Sequence, residues 1–225
     1  MATIKGKTFA KHDKVMKELE KMQKAPKKVV EMTMKEFQKR APSWVAQEVT
    51  SVYNIKKAEV TPTKKNNYKP KAGSIKAEGK TLDSLALIYR GRTLTPVHFG
   101  MTPKAPREAY TLKAEIKKGD KKTLGQVKKL TKKQRKNIGK NLSKQGTQNS
   151  NKSPIMLMHT GNKKEGGTNY IPFQRQSKNR KDIKAVKTLS MPQMVSNAEV
   201  EKNIYSAISD KLGKRFEHYV DRYYK

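Results

Sequence analysis

The strongest constraint on the fold is an apolar stripe near the C-terminal end of the chain. Its hydrophobic side chains recur every three or four positions, which predicts a long amphipathic helix with one buried face. The stripe consists of Val200, Ile204, Ile208, Leu212, Phe216 and Tyr219. Ser196 and Glu199 have the spacing of a capping box, and Val195 and Val200 have that of a hydrophobic staple, so the start of the helix is well defined. We expect this helix to face a β-sheet.

Two further helices are predicted at the N-terminal end. In residues 8–23, apolar positions at helical spacing predict the first of them. Pro26 suits the first turn of the second helix, whose stripe runs to Val52 and includes the only tryptophan, Trp44. Pro42 lies inside this stripe and should kink the helix or make it restart. We interpret the stripe as core packing.

The middle of the chain has strand character. From Tyr110 to Ile116 apolar and polar residues alternate, which is typical of a half-buried strand. Asn54 should cap a short helix from Ile55 to Val60. Further strands are predicted over Gly73–Thr81, Leu85–Tyr89 and Thr95–Phe99, and a hairpin over Pro154–Met158 and Tyr170–Phe173. The expected fold is a single α+β domain over residues 1–225, with two N-terminal helices, an antiparallel sheet, a basic insertion over about 119–152 and a long C-terminal helix.

The charge of the chain indicates a polyanionic or acidic partner. Lysine and arginine number 52 against 19 acids, giving a net charge of +33, and only nine of the 52 are arginine. Lysine binds phosphate as a point charge, whereas arginine recognises base edges and planar anions with a fixed fork. The balance favours non-specific electrostatic contacts. A general lysine preference in the source genome would produce the same balance.

The basic insertion carries much of this charge. Between Lys117 and Lys144 there are twelve basic residues and one acid, Asp120. The stretch holds no aromatic residue, so bases are not expected to stack on it. It is either a phosphate-binding surface, a solvated loop or a basic face for acidic subunits. The candidate nucleic-acid residues are Lys128, Lys129, Lys132, Lys133, Arg135, Lys136, Lys140 and Lys144.

No motif in the sequence predicts an enzyme. Without cysteine, the chain has no disulfide, cysteine-ligated zinc or cysteine nucleophile. The four histidines lack metal-ligand spacing, and no Gly-x-Ser-x-Gly elbow is present. Gly79-Lys80-Thr81 resembles the end of a phosphate-binding loop, but five residues instead of four separate Gly79 from Gly73. We expect no catalytic residue, metal or cofactor, and neither a signal peptide nor a membrane span.

One neutral segment contrasts with the rest of the chain. Thr188–Ala198 is eleven residues long and contains no charge. It leads into the C-terminal helix, and Pro192 stiffens that approach. Because burying neutral side chains avoids the desolvation cost of lysines, the segment is predicted as a subunit or partner contact, with purely internal packing as the alternative. The candidate contact residues are Leu189, Met191, Pro192, Met194 and Val195.

Several segments, taken in order from about Val29 to Tyr223, support a family resemblance. They are Glu48–Val60, Leu94–Gly100, Pro154–Thr160, Tyr170–Arg175 and Val186–Val195. In this order they resemble the phage minor tail protein Z family, also described as tail completion proteins. The Ser-x-Pro-Gln-Met sequence before the last helix is the most specific of these similarities. The stretch Lys117–Asn151 departs from the family pattern in length and charge.

The resemblance implies a structural virion protein at the tail end or the head–tail junction. Such a protein would be a subunit of a homo-oligomeric ring, a hexamer by the resemblance, assembled in the host cytoplasm. Its partners would be other neck and tail proteins, such as a tail terminator and a head connector, and genomic DNA is a further candidate. The alternative function is non-specific nucleic-acid binding of the ribosomal type. A toxin or nuclease is a poorer third candidate, since no catalytic cluster is recognisable.

Overall fold

The computed structural model describes residues 3–8, 17, 20, 26–61, 70, 72–79, 85–106, 109–128, 155–161, 168–176 and 182–224. Its helices and antiparallel strands confirm the α+β class and the long C-terminal helix. The chain divides into two compact units. The first comprises Met1–Val52, Lys56–Thr93 and Ser190–Lys225, and the second comprises Tyr53–Ile55 and Leu94–Leu189. The second unit is inserted into the sequence of the first. This division does not decide whether the units are one domain or two, so the single-domain assignment stays a prediction.

The first unit combines helices with a three-stranded sheet. Its helices are α1 (Lys27–Val52), α2 (Lys57–Val60), α3 (Met191–Val195) and α4 (Ala198–Tyr224). Its strands are β1 (Thr3–Thr8), β2 (Ser74–Glu78) and β3 (Ala86–Arg90). Strand β3 is central and antiparallel to both neighbours. Strands β2 and β3 were predicted, and β1 was not. The first predicted helix, over residues 8–23, lies outside the described residues except for Lys17 and Glu20, which are helical.

Helix α1 is one continuous helix. The backbone N–H of Val29 donates to the carbonyl of Pro26, which closes the first turn (3.0 Å). The helix continues through Pro42 and does not restart there. Its buried residues recur at helical spacing, which confirms the core stripe except at Trp44 and Val52, which are half-buried. They are Val29, Thr33, Met34, Phe37, Ala41, Val45, Ala46 and Val49.

Helix α4 packs chiefly on α1, so the predicted sheet partner is wrong. The two helices are antiparallel, because Lys28 near the start of α1 lies over the ring of Tyr223, while Lys211 lies over the ring of Trp44. The predicted stripe is nevertheless the buried face, with Phe216 only half-buried. A sequence period identifies which face is apolar, but it does not identify the surface that covers it.

The helix caps differ from the prediction. The capping box belongs to α3, where the N–H of Gln193 donates to the Ser190 hydroxyl (3.4 Å) and the N–H of Ser190 donates to the Gln193 side chain (2.8 Å). Ser196 ends α3, and Asn197 caps α4 by accepting a hydrogen bond from the N–H of Glu199 (3.2 Å). Asn54 does not cap α2, because Lys56 precedes that helix without a side-chain cap.

The second unit is built from two small sheets. One is the hairpin of β4 (Ala109–Lys117) and β5 (Asp120–Lys128). The other has the order β6-β7-β8, formed by Ile155–His159, Tyr170–Arg175 and Ile183–Ala185. Strand β4 and the β6–β7 hairpin confirm the predictions. The predicted insertion over about 119–152 begins too early, because residues 120–128 form β5 and pair with β4 along their length.

A small core holds the second unit together. Val97, Met101, Leu112 and Ile155 are buried against one another, with Leu124, Leu157 and Val186 packed around them. The predicted strand Thr95–Phe99 is a 3₁₀ turn over Pro96–Phe99. Pro96 has no N–H to give to a sheet, and its fixed φ suits a helical first position. Gly100 ends this turn at a φ of +64°, in the left-handed region that favours glycine.

Candidate functional site

A basic hairpin lies on the surface of the second unit. It is the half of the β4–β5 hairpin nearest the turn, and it carries Lys113, Lys117, Lys118, Lys121 and Lys122. Lys117 is half-buried, and the other four lysines are exposed. Gly119 forms the turn at a φ of +80°, and a Cβ added at this position would meet no atom within 4 Å. The turn therefore projects into open space.

Both acids of the hairpin have contacts within it. The Glu115 carboxylate accepts a hydrogen bond from the N–H of Gly119 (2.9 Å), and Asp120 pairs with Lys122 (3.2 Å). In the strand register, Glu115 is also opposite Lys121. The tip half of the hairpin carries five lysines and two carboxylates, so its formal charge is positive. Such lysines suit phosphate oxygens or acidic side chains, and they offer no fork for reading base edges.

Strand β4 holds the hairpin in place. Leu112 and Ala114 are fully buried, and the N–H of Asn54 donates to the carbonyl of Ile116 (3.0 Å). Tyr53 forms a bridge with Lys117. The lysines are therefore presented on an ordered two-stranded support, which lowers the entropy lost when they bind.

The predicted nucleic-acid residues fall mostly outside the described chain. Lys128 is the last residue of β5, and its backbone pairs with Ala109. The others lie outside the described residues. They are Lys129, Lys132, Lys133, Arg135, Lys136, Lys140 and Lys144. Their role stays a prediction. The basic hairpin, which precedes them in the sequence, is a further group of exposed lysines.

The predicted contact segment is largely interior. Met191 and Met194 have no exposed surface, Pro192 and Val195 are buried, and Leu189 is half-buried. Helix α3 lies so close to the chain at Gly91 that a Cβ there would be 2.9 Å from the Cβ of Met191. A side chain enclosed within its own chain is not available to a neighbouring subunit in this conformation. Internal packing accounts for the absence of charge at these buried positions, and a partner contact through the half-buried Leu189 stays a prediction.

The described residues include histidines and a glycine motif that bear on possible catalysis or metal binding. Among these residues no three metal-binding side chains come together. His98 is buried in the 3₁₀ turn, and the His159 ring packs edge-on against Tyr170 at 5.1 Å. Gly79 stands between two antiparallel strands, β2 and β3, whereas a phosphate-binding loop connects a strand to a helix. Gly79 therefore begins a strand-to-strand connection.

Two partly buried polar groups of the first unit have structural roles. The Glu36 carboxylate on α1 contacts Arg40 (2.5 Å) and Arg215 (3.6 Å) and accepts a hydrogen bond from the Tyr219 hydroxyl (3.0 Å). It thus links α1 to α4. Near the start of α4, burial and the negative charge of Glu201 raise the pKa of Tyr205 to about 12.

Comparisons with known proteins leave the assignment open. No protein-family model, curated protein or solved structure matches the chain. Within the described residues, no helix has the length and apolar character needed to cross a bilayer. The resemblance to tail completion proteins therefore rests on the sequence segments alone.

Proposed function

We propose that this protein is a structural virion component, a tail completion or minor tail protein that works as a ring subunit at the tail end or the head–tail junction. The observation that carries the proposal is the basic hairpin, an ordered support for five lysines in a chain with a net charge of +33. A chain this basic is self-repelling when isolated and needs acidic neighbours or a polyanion to offset its charge. A site between virion proteins and packaged DNA provides both.

The rest of the described chain is consistent with an architectural role. Its two modest cores bury the apolar faces of helices and sheets, and the partly buried Glu36 links two helices. The order of segments from Glu48–Val60 to Val186–Val195 adds the resemblance to tail completion proteins. Assembly into a ring would supply burial that a chain with only 34% hydrophobic residues has little material to provide alone.

The second candidate is a non-specific nucleic-acid-binding protein of the ribosomal type. The predominance of lysine among its basic residues favours it, because such lysines contact phosphates in any sequence. The two candidates differ in their assembly. A ring subunit forms a closed homo-oligomer, whereas the alternative stays monomeric and becomes ordered on RNA.

Native mass spectrometry of the purified full chain tests the proposal. We expect one dominant closed stoichiometry, with RNA changing neither the circular dichroism nor the mass distribution of the subunits. A monomer that gains secondary structure only when RNA is added would refute the ring subunit and establish the alternative.

DNA contact is a separate prediction of the proposed function. Binding to duplex DNA should weaken with salt by a log–log slope of about −0.9 for each phosphate neutralised, and it should differ little between unrelated sequences. Changing Lys128, Lys129, Lys132 and Lys133 together to glutamine should make this slope shallower and leave the thermal midpoint nearly unchanged. If the wild-type chain shows no salt-sensitive DNA binding even at low salt, its lysines serve acidic protein neighbours instead.

A further inference from the structure

The three-stranded sheet of the second unit has two different faces. Its inner face carries Ile155 and Leu157, which pack into the core of that unit. Cross-strand partners share a face, so the register identifies the opposite, outer face. Met156 is opposite Phe173, Met158 is opposite Ile171, and Phe173 is also opposite Ala185. The outer face consists of Met156, Met158, Ile171, Phe173, Ile183 and Ala185.

The outer face is apolar although it is accessible to solvent. All six side chains are at least partly exposed, and Met158 is 38% exposed. Antiparallel sheets that leave one face in water normally carry polar residues on that face. Here Ile155–Met158 and Tyr170–Phe173 are nearly continuous apolar runs, the pattern of strands covered on both faces. The outer face therefore has the composition of a surface that is buried in an assembly.

The charge distribution indicates which partner covers this face. Among the described strand positions on this side of the sheet, only Arg175, opposite Ile183 at one end, is charged. An acidic partner or DNA would be drawn to lysines, which these positions lack. Two copies of a chain with a net charge of +33 cannot attract each other through net charge, so they need a contact from which charge is absent. The six apolar positions of the outer face meet that requirement, because its one charged neighbour, Arg175, lies at the end of the strands.

We propose that the outer face is a contact surface for a second copy of this chain, the neighbouring subunit of the ring. This inference rests on the proposed function and adds the surface through which the subunits meet. The six apolar side chains form the water-excluding centre of the contact, surrounded by a polar rim. These six uncharged side chains, with Arg175 at the end of the face, take the role that was predicted from the sequence for Leu189–Val195.

Salt provides the first test of the contact. Added salt shortens the Debye length from about 10 Å at 0.1 M to about 3 Å at 1 M, which screens the repulsion between copies but not an apolar contact. Sedimentation velocity of the wild-type chain should therefore show stronger self-association at high salt. Self-association that weakens as the salt concentration rises would mean that ion pairs make the contact. That result would overturn the inference.

A charge substitution provides the second test. Met158→Glu lowers the net charge by one, so repulsion between whole chains predicts slightly stronger association. A carboxylate buried at the contact predicts the reverse, with association weakened at least about tenfold. Thr123→Glu makes the same charge change at an exposed strand position outside the outer face and should retain wild-type association. Ala185→Glu is a second variant of the outer face, and thermal midpoints verify that every variant is folded.

The outcomes separate this inference from the proposed function. Loss of association in Met158→Glu or Ala185→Glu, with Thr123→Glu unaffected, supports the contact. A wild-type ring that all folded variants still form overturns the inference and leaves the ring subunit intact. A wild-type chain that is monomeric at every salt concentration overturns both. A dimer that does not close into a ring, and that Met158→Glu abolishes, supports the contact and contradicts the ring.

Discussion

Truncating Met194 to alanine should lower the free energy of unfolding of the chain itself, because Met194 packs inside the chain. Met194 lies in α3, where it has no exposed surface. Moving a methionine side chain out of water is worth about 1.5–3 kcal/mol, and the cavity left by its loss adds to that cost. The capping box of Ser190 and Gln193 and the close approach at Gly91 restrict how far α3 can move to fill the space. We therefore expect a loss of about 2–5 kcal/mol in the free energy of unfolding.

The assay is thermal and urea unfolding of the full chain followed by circular dichroism. For a chain of this size, each kcal/mol shifts the midpoint by about 2–4 °C, so the transition of the first unit should fall by about 4–20 °C. Met194→Leu preserves volume and should lose less than about 1.5 kcal/mol, which makes it the matched control. An alanine variant with an unchanged midpoint that no longer self-associates would refute the reasoning, because Met194 would then be a surface contact.

Three further predictions concern the first unit. Leu212→Ala on α4 should lose about 2–5 kcal/mol in urea unfolding because the side chain is fully buried, whereas Phe216→Ala, at a half-buried position, should lose less; equal losses would contradict the packing described. Glu36→Gln removes the charge that meets two arginines and should cost about 1–3 kcal/mol by the same assay, with the exposed Glu31→Gln near neutral as its control. The pKa of Tyr205 is raised from 10.0 to about 12, so its contribution to stability is complete below pH 10 and is lost as pH rises towards 12. The urea midpoint of Tyr205→Phe should accordingly fall less than that of the wild type over this interval, and parallel profiles would contradict the assignment.

Patterns with a strong period predicted the elements of the fold well. The stripe from Val200 to Tyr219 gave α4, and the alternation from Tyr110 to Ile116 gave β4. The same patterns did not identify partners, because an apolar face has the same sequence whether a helix or a sheet covers it. Helix α4 therefore packs on α1 against expectation. Strand β5 was missed because its first four residues, Asp120 to Thr123, are polar and exposed, which leaves no apolar alternation to detect.

The neutral contact segment and the outer face show what an absence of charge can predict. Absence of charge predicts burial, but it does not distinguish burial inside the chain from burial between chains. Met191 and Met194 proved to be interior, whereas Met158 and Phe173 lie on an accessible face. The signal for that face was present in the continuous apolar runs around Ile155 and Tyr170, since a half-solvated strand would alternate. Only the strand register shows which residues of the runs share the outer face.

The most direct test of the central claim is electron microscopy of the purified full-length chain, with particle images sorted into classes. The proposed ring subunit predicts end-on classes with a closed ring of one rotational symmetry, in the absence of nucleic acid and at high salt. Particles that remain single copies under these conditions, and become ordered only when RNA is added, would contradict the ring and leave a nucleic-acid-binding protein in its place.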